Sequence, residues 1–576
     1  METKNKNSLA ILIVINIILN SILSYAYLKD FSTAAIIIAS TTAISALLFK
    51  KKWKFLLLII LGSSFIINLS ITLASPIVFG DEGFYASRGA WIWENKQIPQ
   101  YYHIQSQSEA FKVHFIRPPY MMTLLASVFG LGGELLVKAF LPFVNIITAI
   151  LLFLFVKKIF SEEAGVLSSL SLVIMPSVIT YTILLYVEAV SALFITASMF
   201  FLYLAMTENR KRHYLISAAC GGMAALTDVG GFIIPILYFF GVLYFCRSNL
   251  KEFGKKFLIL IVIFILVISP WYFLHNYMQA NTFGIPVLDR LTKGSSIVIL
   301  KEIPQVNEGS KAFSGLAAGS TNDSIIKMGV TNYIEFAYSQ LVVLFASIGL
   351  FYMFMNKKKA EGFIILWFML VLAVNYYLSS GGRAEDAARA LLVTAAPMAV
   401  LAGLCSGKIF SSLKEYRREG ALIAIIFVAI LVVWTLNAAN AKAQALKPVK
   451  QFAPSFFQAC DWIKQNTEQG SLLVTLWQHR AEYACRRDTV WISDPGIDQA
   501  VLAKNGNTTQ IFKLHGADYI FIQKFSISQG NQGEAYPADF VNFIANSPDY
   551  KLAYETEPNC LTKGDVADCS LVYKIL

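Results

Sequence analysis

Long apolar runs separated by short polar connectors recur along most of this chain. The first run, "LAILIVINIILNSILSYAYL", is too long for a signal peptide, and no small-residue cleavage site follows it. A helix needs about 20 apolar residues to cross a hydrocarbon core of about 30 Å. The pattern therefore predicts a polytopic α-helical membrane protein. The thirteen predicted spans are 8–28, 32–49, 55–76, 135–156, 165–181, 189–207, 213–227, 229–246, 257–275, 332–355, 361–378, 388–405 and 419–437.

Composition and charge predict on which side of the membrane each end of the chain lies. Hydrophobic residues make up 56% of the 576 positions and charged residues 15%. The basic connectors all fall on one side of the predicted spans, and cytoplasmic loops are the ones enriched in Lys and Arg. We therefore expect a cytoplasmic N-terminus and an extracytoplasmic C-terminus. Membrane lipids are the partners that explain the net charge of +11, which does not indicate nucleic-acid binding.

Three segments on the predicted outer side are long: 77–134, 276–331 and 438–576. The first ends in "RPPYMMTLLASVFG", which is too short for a span and predicts a helix lying in the membrane interface. In the last segment the apolar runs shorten to strand length, with amphipathic helices between them. The strand-length runs are "SLLVTLW", "TVWIS", "DYIFIQKF", "YKLAYE" and "SLVYKIL". We expect a transmembrane domain over 1–437 and an extracytoplasmic α/β domain over 438–576, which covers the site or engages the acceptor.

Carboxylates and arginines converge on the predicted outer surface. The adjacent pair Asp81 and Glu82 follows the third span, and Glu188 lies between spans five and six. Charges near membrane depth are costly and usually have a partner or a function, although acidic residues also favour helix N-termini as plain caps. Asp228, Arg383 and Arg389 join the same surface. This mixture of charges suits a phosphate-bearing amphiphile.

Several motifs resemble the GT-C superfamily of membrane glycosyltransferases that use a polyprenyl-phosphate sugar donor. The likeness is to the protein mannosyltransferase and aminoarabinose transferase branch, and it covers nearly all of the membrane region. The motifs that carry it are "DEGFYASRGAWIWENKQIP", "RPPYMMTLLASVFG", "LLYVEAVSALF", "ISPWYFLHNYMQANTFGIP" and "RALLVTAAP". The resemblance implies a GT-C fold. It also implies a hexosyl- or pentosyltransferase that moves a sugar to a hydroxyl of a protein, lipid or glycan acceptor.

The resemblance also implies roles for individual residues. Asp81 would be the catalytic carboxylate with Glu82 beside it, and Glu188 would be the acid of the second outer loop. Arg117 would hold the donor phosphate. Arg389 and Arg383 would add further phosphate contacts.

Other positions are candidate substrate contacts. Tyr85 and His114 lie in the first outer loop, where lone histidines without close spacing are more often structural than metal ligands. Asp228 and His275 stand where a Lys and an Arg are common in the family, which leaves the sugar and the acceptor undefined.

A metal ion is an open alternative. Mg²⁺ or Mn²⁺ could lie between carboxylates and phosphate, with Asp81 and Glu188 as ligands, and the sequence does not decide it.

The number of cysteines in the tail agrees with an extracytoplasmic location for it. Cys460, Cys485, Cys560 and Cys569 are an even set in a compartment where disulfides persist. The short loop favours pairing Cys560 with Cys569, which leaves Cys460 with Cys485. Other pairings remain open.

Two other functional classes are weighed against the transferase. A transporter or flippase would carry charges deep within its spans and would often show repeated halves, and neither feature is evident. An oligosaccharyltransferase shares the architecture, but its Trp-Trp-Asp signature is absent from the tail.

Overall fold

The computed structural model describes two compact units. The described residues are 53–74, 76–77, 81–99, 117–277, 338, 340–356, 358–379, 391–415, 454–491, 497, 506–523, 538–560 and 568–576. The first unit comprises Met1–Pro76, Gly132–Pro270 and Asp323–Lys447. The second comprises Ile77–Leu131, Trp271–Asn322 and Pro448–Leu576. The tail therefore shares a compact unit with the first predicted outer loop.

The first unit is built from apolar helices, as the long hydrophobic runs predict. Its α-helices are α1 (Trp53–Ala74), the part of α3 (Tyr120–Ile159) beyond Gly132, α4 (Glu162–Val173), α5 (Pro176–Ile183), α6 (Val187–Glu208), α7 (Lys211–Thr227), α8 (Ile234–Cys246), α9 (Leu250–Ser269), α10 (Gln340–Asn356), α11 (Lys359–Ser379) and α12 (Ala395–Glu415). Short 3₁₀ turns at Val229–Ile233 and Leu391–Thr394 precede α8 and α12. The prediction of a helical integral membrane protein is confirmed.

Five helices in the described residues are long and apolar enough to cross a membrane, or six if a bent pair counts as one span. The bent pair is α4 with α5, which meet at 58° where a single span over 165–181 was expected. Pro176 explains the break, because proline has no backbone N–H to continue α4 but fits the first turn of α5. Predicted spans 8–28, 32–49 and 419–437 lie outside the described residues. The count of thirteen therefore stays a prediction.

Hydrogen bonds join three of these apolar helices. The Tyr238 hydroxyl of α8 donates to the backbone carbonyl of Ser217 in α7 at 2.6 Å. Ser198 of α6 lies 2.8 Å from the same hydroxyl, and the Ser217 hydroxyl donates to the Ser198 carbonyl at 2.9 Å. Polar contacts of this kind add specificity where hydrophobic burial cannot distinguish a helix neighbour from lipid.

The second unit contains α2 (Glu82–Asn95), the part of α3 that precedes a kink at Gly132 and Gly133, and a mixed sheet in the tail. The tail elements are α13 (Pro454–Asn466), β1 (Leu472–Thr475), α14 (Gln478–Cys485), β2 (Asp488–Trp491), α15 (Gly506–Leu514), β3 (Tyr519–Gln523), α16 (Ala538–Asn546), β4 (Tyr550–Glu555) and β5 (Ser570–Ile575). The sheet order is β2-β1-β3-β5-β4, with β1 parallel to β2 and β3, and β5 antiparallel to β3 and β4. Each of the five strand-length runs in the tail forms one of these strands.

Alternating side chains divide the core of the sheet between its two faces. Leu473 of β1 and Phe521 of β3 pack with α13 and α14 on one face. Their neighbours Val474 and Ile520 pack on the opposite face with α15 and α16. Because side chains on a strand alternate between faces, strands that read as continuous apolar runs are buried on both sides. The tail is thus a helix–sheet–helix arrangement.

Two disulfides lie in the tail. Cys460 of α13 is joined to Cys485 at the end of α14, with Cα atoms 4.2 Å apart. Cys560 is joined to Cys569 nine residues later. The first bridge fastens together the two helices that cover one face of the sheet.

We expect peptide mapping of unreduced protein to recover both linked pairs. Replacing Cys460 and Cys485 together by Ala should lower the free energy of unfolding of the second unit by about 2–4 kcal/mol, because the loop they close is lost as a constraint on the unfolded chain. The matched control is the Cys560 and Cys569 pair, whose shorter loop should make its removal about 1 kcal/mol less costly. Free thiols at these four positions in oxidised protein would contradict the pairing.

Candidate active site

The acidic pair sits at the start of α2. Asp81 is the N-terminal cap residue, with φ −71° and ψ −9°, and the Tyr85 N–H donates to its carbonyl at 3.1 Å. Glu82 is the first helical residue and is 2% exposed, whereas Asp81 is partly exposed. Both carboxylates are favoured by the positive end of the helix dipole. Within the described residues the Asp81 side chain makes no capping hydrogen bond to α2.

Two glycines let α2 approach its neighbours closely. A Cβ on Gly83 would collide with the backbone carbonyl of His479, in the first turn of α14. On another side, a Cβ on Gly89 would lie 2.8 Å from the Cβ of Leu125, in the first part of α3. These positions need glycine because a backbone or buried neighbour cannot give way. The helix that begins with the acidic pair is therefore packed tightly between α14 and α3.

An ion pair is buried where α2 meets α14. An Arg88 Nη1 atom pairs with Oε1 of Glu482, and the two side chains are 1% and 5% exposed. His479 Nδ1 lies 3.7 Å from the other carboxylate oxygen, and Arg88 also donates to the Ser87 hydroxyl at 2.9 Å. Burial opposes ionisation of Glu482, but the charge of Arg88 and the contact with His479 outweigh it, so the pKa of the Glu482 carboxyl is lowered overall.

Phe84 brings two guanidinium groups together. Its fully buried ring lies 4.2 Å from the guanidinium carbon of Arg88 and 4.5 Å from that of Arg117. The ring of His479 meets it edge-on at 5.0 Å. Cation–π contact with an aromatic face stabilises a guanidinium and fixes where it lies. Arg117, the predicted phosphate ligand, is thereby connected to the acid-bearing helix.

Two other predicted site residues lie in the second unit. Tyr85 is buried and meets Phe84 edge-on at 5.3 Å. His275 stacks on Trp271 with ring centroids 4.0 Å apart, in the π-helical segment Pro270–Tyr277. Its Nδ1 lies 3.1 Å from the side-chain oxygen of Asn276. Short π-helical segments are frequent at functional sites, which keeps His275 a candidate.

Glu188 and Asp228 lie in the first unit, each at a helix terminus. Glu188 is in the first turn of α6 and is buried. Asp228 ends α7, and its carboxylate accepts a hydrogen bond from the Gly230 N–H at 3.1 Å. Asp228 therefore has a local structural role in turning the chain into the next 3₁₀ helix.

The other predicted residues are not described. Arg383, Arg389 and His114 lie outside the described residues. In the part of the chain that the structure describes, no group of three or more His, Cys, Asp or Glu side chains is arranged to hold a metal ion. The metal alternative thus stays a prediction.

Four residues at this site received no role from the sequence: Phe84, Arg88, His479 and Glu482. Arg88 follows Phe84 by one helical turn, a spacing that places both on one face of α2. No local pattern marks Glu482, since α14 is a short helix in the distant tail. The available signal was general: a buried run that contains an arginine needs a carboxylate partner.

Comparisons with known proteins show which fold the chain shares. Residues 114–273 match the family model of dolichyl-phosphate-mannose-protein mannosyltransferases. The solved structure of the oligosaccharyltransferase AglB from Archaeoglobus fulgidus, in complex with an inhibitory peptide and a dolichol-phosphate, is similar with a TM-score of 0.59 and 14% identity. The similarity covers 88% of this chain and 74% of that one. The chain has the GT-C fold.

Two further structures share the GT-C fold. ArnT from Cupriavidus metallidurans bound to undecaprenyl phosphate has a TM-score of 0.59 at 10% identity, covering 91% of this chain and 98% of that one. The arabinofuranosyltransferase AftD from Mycobacteria has a TM-score of 0.54 at 12% identity, and the similarity covers 89% of this chain and 41% of that one. No curated protein matches the chain by sequence. The resemblance to the GT-C superfamily is confirmed.

The close contact at Gly83 generates a stability prediction. Gly83→Ala should lower the free energy of unfolding of the second unit by about 1–3 kcal/mol, because the added methyl group must displace the backbone of His479. Thermal unfolding followed by tryptophan fluorescence measures the effect.

The matched control is Gly254→Ala in α9, where an added Cβ meets nothing within 4 Å. That change should leave stability unchanged or raise it by up to about 1 kcal/mol. Equal melting temperatures of Gly83→Ala and Gly254→Ala would contradict the close packing of α2 on α14.

Proposed function

We propose that this protein is a membrane glycosyltransferase that moves a sugar from a polyprenyl-phosphate donor to a hydroxyl acceptor. The observation that carries the proposal is the constellation on and around α2 within a GT-C fold. Asp81 and Glu82 begin the helix, and Arg117 contacts Phe84 one turn further on. The similar ArnT structure is bound to undecaprenyl phosphate, and the similar AglB structure to a dolichol-phosphate. These ligands support a lipid phosphate as the donor's leaving group.

The chemistry requires a base and a cation. The acceptor oxygen forms a bond to the anomeric carbon while the bond from that carbon to the phosphate oxygen breaks. The hydroxyl proton passes to a carboxylate, and the electron pair of the broken bond leaves with the lipid phosphate. A guanidinium neutralises the charge that develops on the leaving phosphate. The products are a glycosylated acceptor and polyprenyl phosphate.

Asp81 is the proposed base, and its environment distinguishes it from Glu82. Asp81 is partly exposed, so an acceptor can approach its carboxylate, while Glu82 is 2% exposed and lies within the packed unit. Adjacent residues on a helix point about 100° apart, so the two carboxylates do not share a direction. We assign Glu82 a supporting role. Glu188 is the proposed acid of the second outer loop.

Arg117 is the proposed donor-phosphate ligand, with Arg389 and Arg383 as further candidates. Its contact with Phe84 limits the positions that the guanidinium can occupy. Those donors suit bidentate contact with phosphate oxygens. The site and the tail are proposed to be extracytoplasmic, with the N-terminus in the cytoplasm, as the basic connectors indicate.

An oligosaccharyltransferase-like activity is the second candidate, because AglB shares the fold with the same TM-score as ArnT. The match of residues 114–273 to the mannosyltransferase family model favours the first candidate. The donor distinguishes the two candidates: a single sugar on a lipid monophosphate for the first, and an oligosaccharide donor for the second.

Purified protein in lipid nanodiscs provides the direct test. We expect release of polyprenyl phosphate from polyprenyl-phosphate hexose or pentose when a hydroxyl acceptor is present. The hexose donor, the pentose donor and a lipid-linked oligosaccharide are tested in separate reactions. Turnover of the oligosaccharide donor alone would favour the second candidate. Binding of every donor without turnover, together with movement of the donor across the bilayer of sealed proteoliposomes, would instead indicate a transporter or flippase.

Asp81→Asn should abolish sugar transfer while keeping donor binding and thermal stability, since the amide preserves shape but does not accept the proton. Glu82→Gln should reduce the rate of sugar transfer less than Asp81→Asn does. Glu94→Gln is the matched control, because Glu94 is an exposed carboxylate on the same helix. Transfer by Asp81→Asn at the wild-type rate would exclude Asp81 as the base.

Arg117→Ala should weaken binding of the lipid-phosphate donor by about 1.5–3 kcal/mol, the usual contribution of a hydrogen bond to a charged group. Equilibrium binding of polyprenyl phosphate measures the effect. Lys96→Ala, which removes an exposed cation at the end of α2, is the matched control and should leave affinity unchanged. Equal donor affinity of Arg117→Ala and wild type would contradict the role of Arg117.

A further inference from the structure

We propose that Glu482 and Arg88 are positioning residues that hold the acid-bearing helix α2 in its reactive orientation. The inference rests on the proposed function, which assigns Asp81 as the base. It assigns a role to the tail: α14 sets the orientation of the helix whose first residues do the chemistry. Neither residue needs to touch substrate for this role.

The first step of the argument is the burial of the pair. Arg88 is 1% exposed and Glu482 5% exposed, and each would be strongly destabilised there without the other. His479 approaches the second oxygen of Glu482, so both carboxylate oxygens have cationic or polar neighbours. A charge pair has directional requirements that an apolar contact lacks. The pair therefore restricts how α2 can rotate or slide on α14.

The second step is that Glu482 is itself held firmly. The disulfide from Cys485 fastens the last turn of α14 to α13. Arg487, just beyond α14, donates to the carbonyls of Lys464 and Thr467 at 3.0 and 2.7 Å, at the C-terminal end of α13. Cations are favoured at that end of a helix. Glu482 thus projects from a helix whose C-terminal end is anchored to α13.

The third step is the geometry of α2. Residues seven apart on a helix lie on nearly the same face and about 10 Å apart along its axis. Asp81 has helical backbone angles, so Asp81, Phe84 and Arg88 follow one face at successive turns. Arg117 contacts Phe84 on this face. The pair with Glu482 thereby fixes the face that carries the proposed base.

The fourth step concerns the reaction. A displacement of about 1 Å of a reacting group can lower a rate by about a hundredfold. Loosening α2 should therefore reduce kcat for sugar transfer more than it reduces donor binding, because binding depends on several contacts and proton removal depends on one. A purely structural pair would instead change the amount of folded protein, with the same kcat per folded molecule.

The test compares Glu482→Gln with wild type in the full-length protein, in two measurements. Hydrogen exchange of the peptides that cover α2, without substrate, should become faster by about tenfold. For active protein, kcat should fall by about tenfold while KM for the lipid donor stays within about twofold. Glu482→Asp, which keeps the charge, should recover part of the loss.

Three further variants complete the experiment. Glu468→Gln removes an exposed carboxylate of the same tail and should change neither measurement. Arg88→Met with Glu482→Gln should lose no more activity than the worse single variant, since both changes break one interaction. If Glu482→Gln does not fold, the charge-swapped variant Arg88→Glu with Glu482→Arg is measured instead. Slow hydrogen exchange of α2 in this variant supports the pairing. Fast exchange of α2 contradicts it.

The outcomes separate this inference from the proposed function. Wild-type exchange of α2 in Glu482→Gln would overturn the inference whether or not the protein transfers sugar. Faster exchange with unchanged kcat would also overturn it. A wild-type protein that turns over no lipid-linked sugar would contradict the proposed function, while the exchange measurement would still decide whether Glu482 orients α2.

Discussion

The buried charge of Arg88 is the constraint on which the second unit depends. A guanidinium that is 1% exposed requires a carboxylate, and Glu482 of the distant tail supplies it. The two helices that carry these residues also pack closely, because Gly83 leaves room for the backbone of His479. Most of the first predicted outer loop and the tail therefore lie in one compact unit. The acid-bearing helix and the sheet are therefore parts of the same unit.

Much of this fold was predictable from local pattern. The strands of the tail follow from short apolar runs, since Val474 and Leu473 are buried on opposite faces of one strand. The break near Pro176 follows from the missing N–H of proline, although the hydrophobic run conceals it. The acidic pair was expected to follow the third predicted span, with helix capping as the alternative, and it lies at the N-terminus of α2. Each of these features is encoded within a few residues.

The organisation of the candidate site was not predictable in the same way. The contact of Arg88 with Glu482 joins residues that are far apart in sequence, and neither has a spacing that signals the other. The same holds for Arg117 and Phe84, which lie on different segments of the first outer loop. Long-range pairing depends on the tertiary structure, which a hydropathy pattern does not contain. The sequence indicated which chemistry was present and left open which side chains meet.

The nature of the pair argues for an orienting role. Replacing a buried ion pair by well-packed apolar side chains is often neutral or stabilising, so the pair is a poor source of stability by itself. It does impose direction, because Glu482 meets Arg88 in one register of α2 on α14, whereas apolar side chains would tolerate several. A single register keeps Asp81 partly exposed and Glu82 buried at the start of the helix. Slippage by one residue would bring Glu82 to the place of Asp81. The position of the charge pair two turns along the same helix is thus explained better by the orientation of Asp81 than by stability.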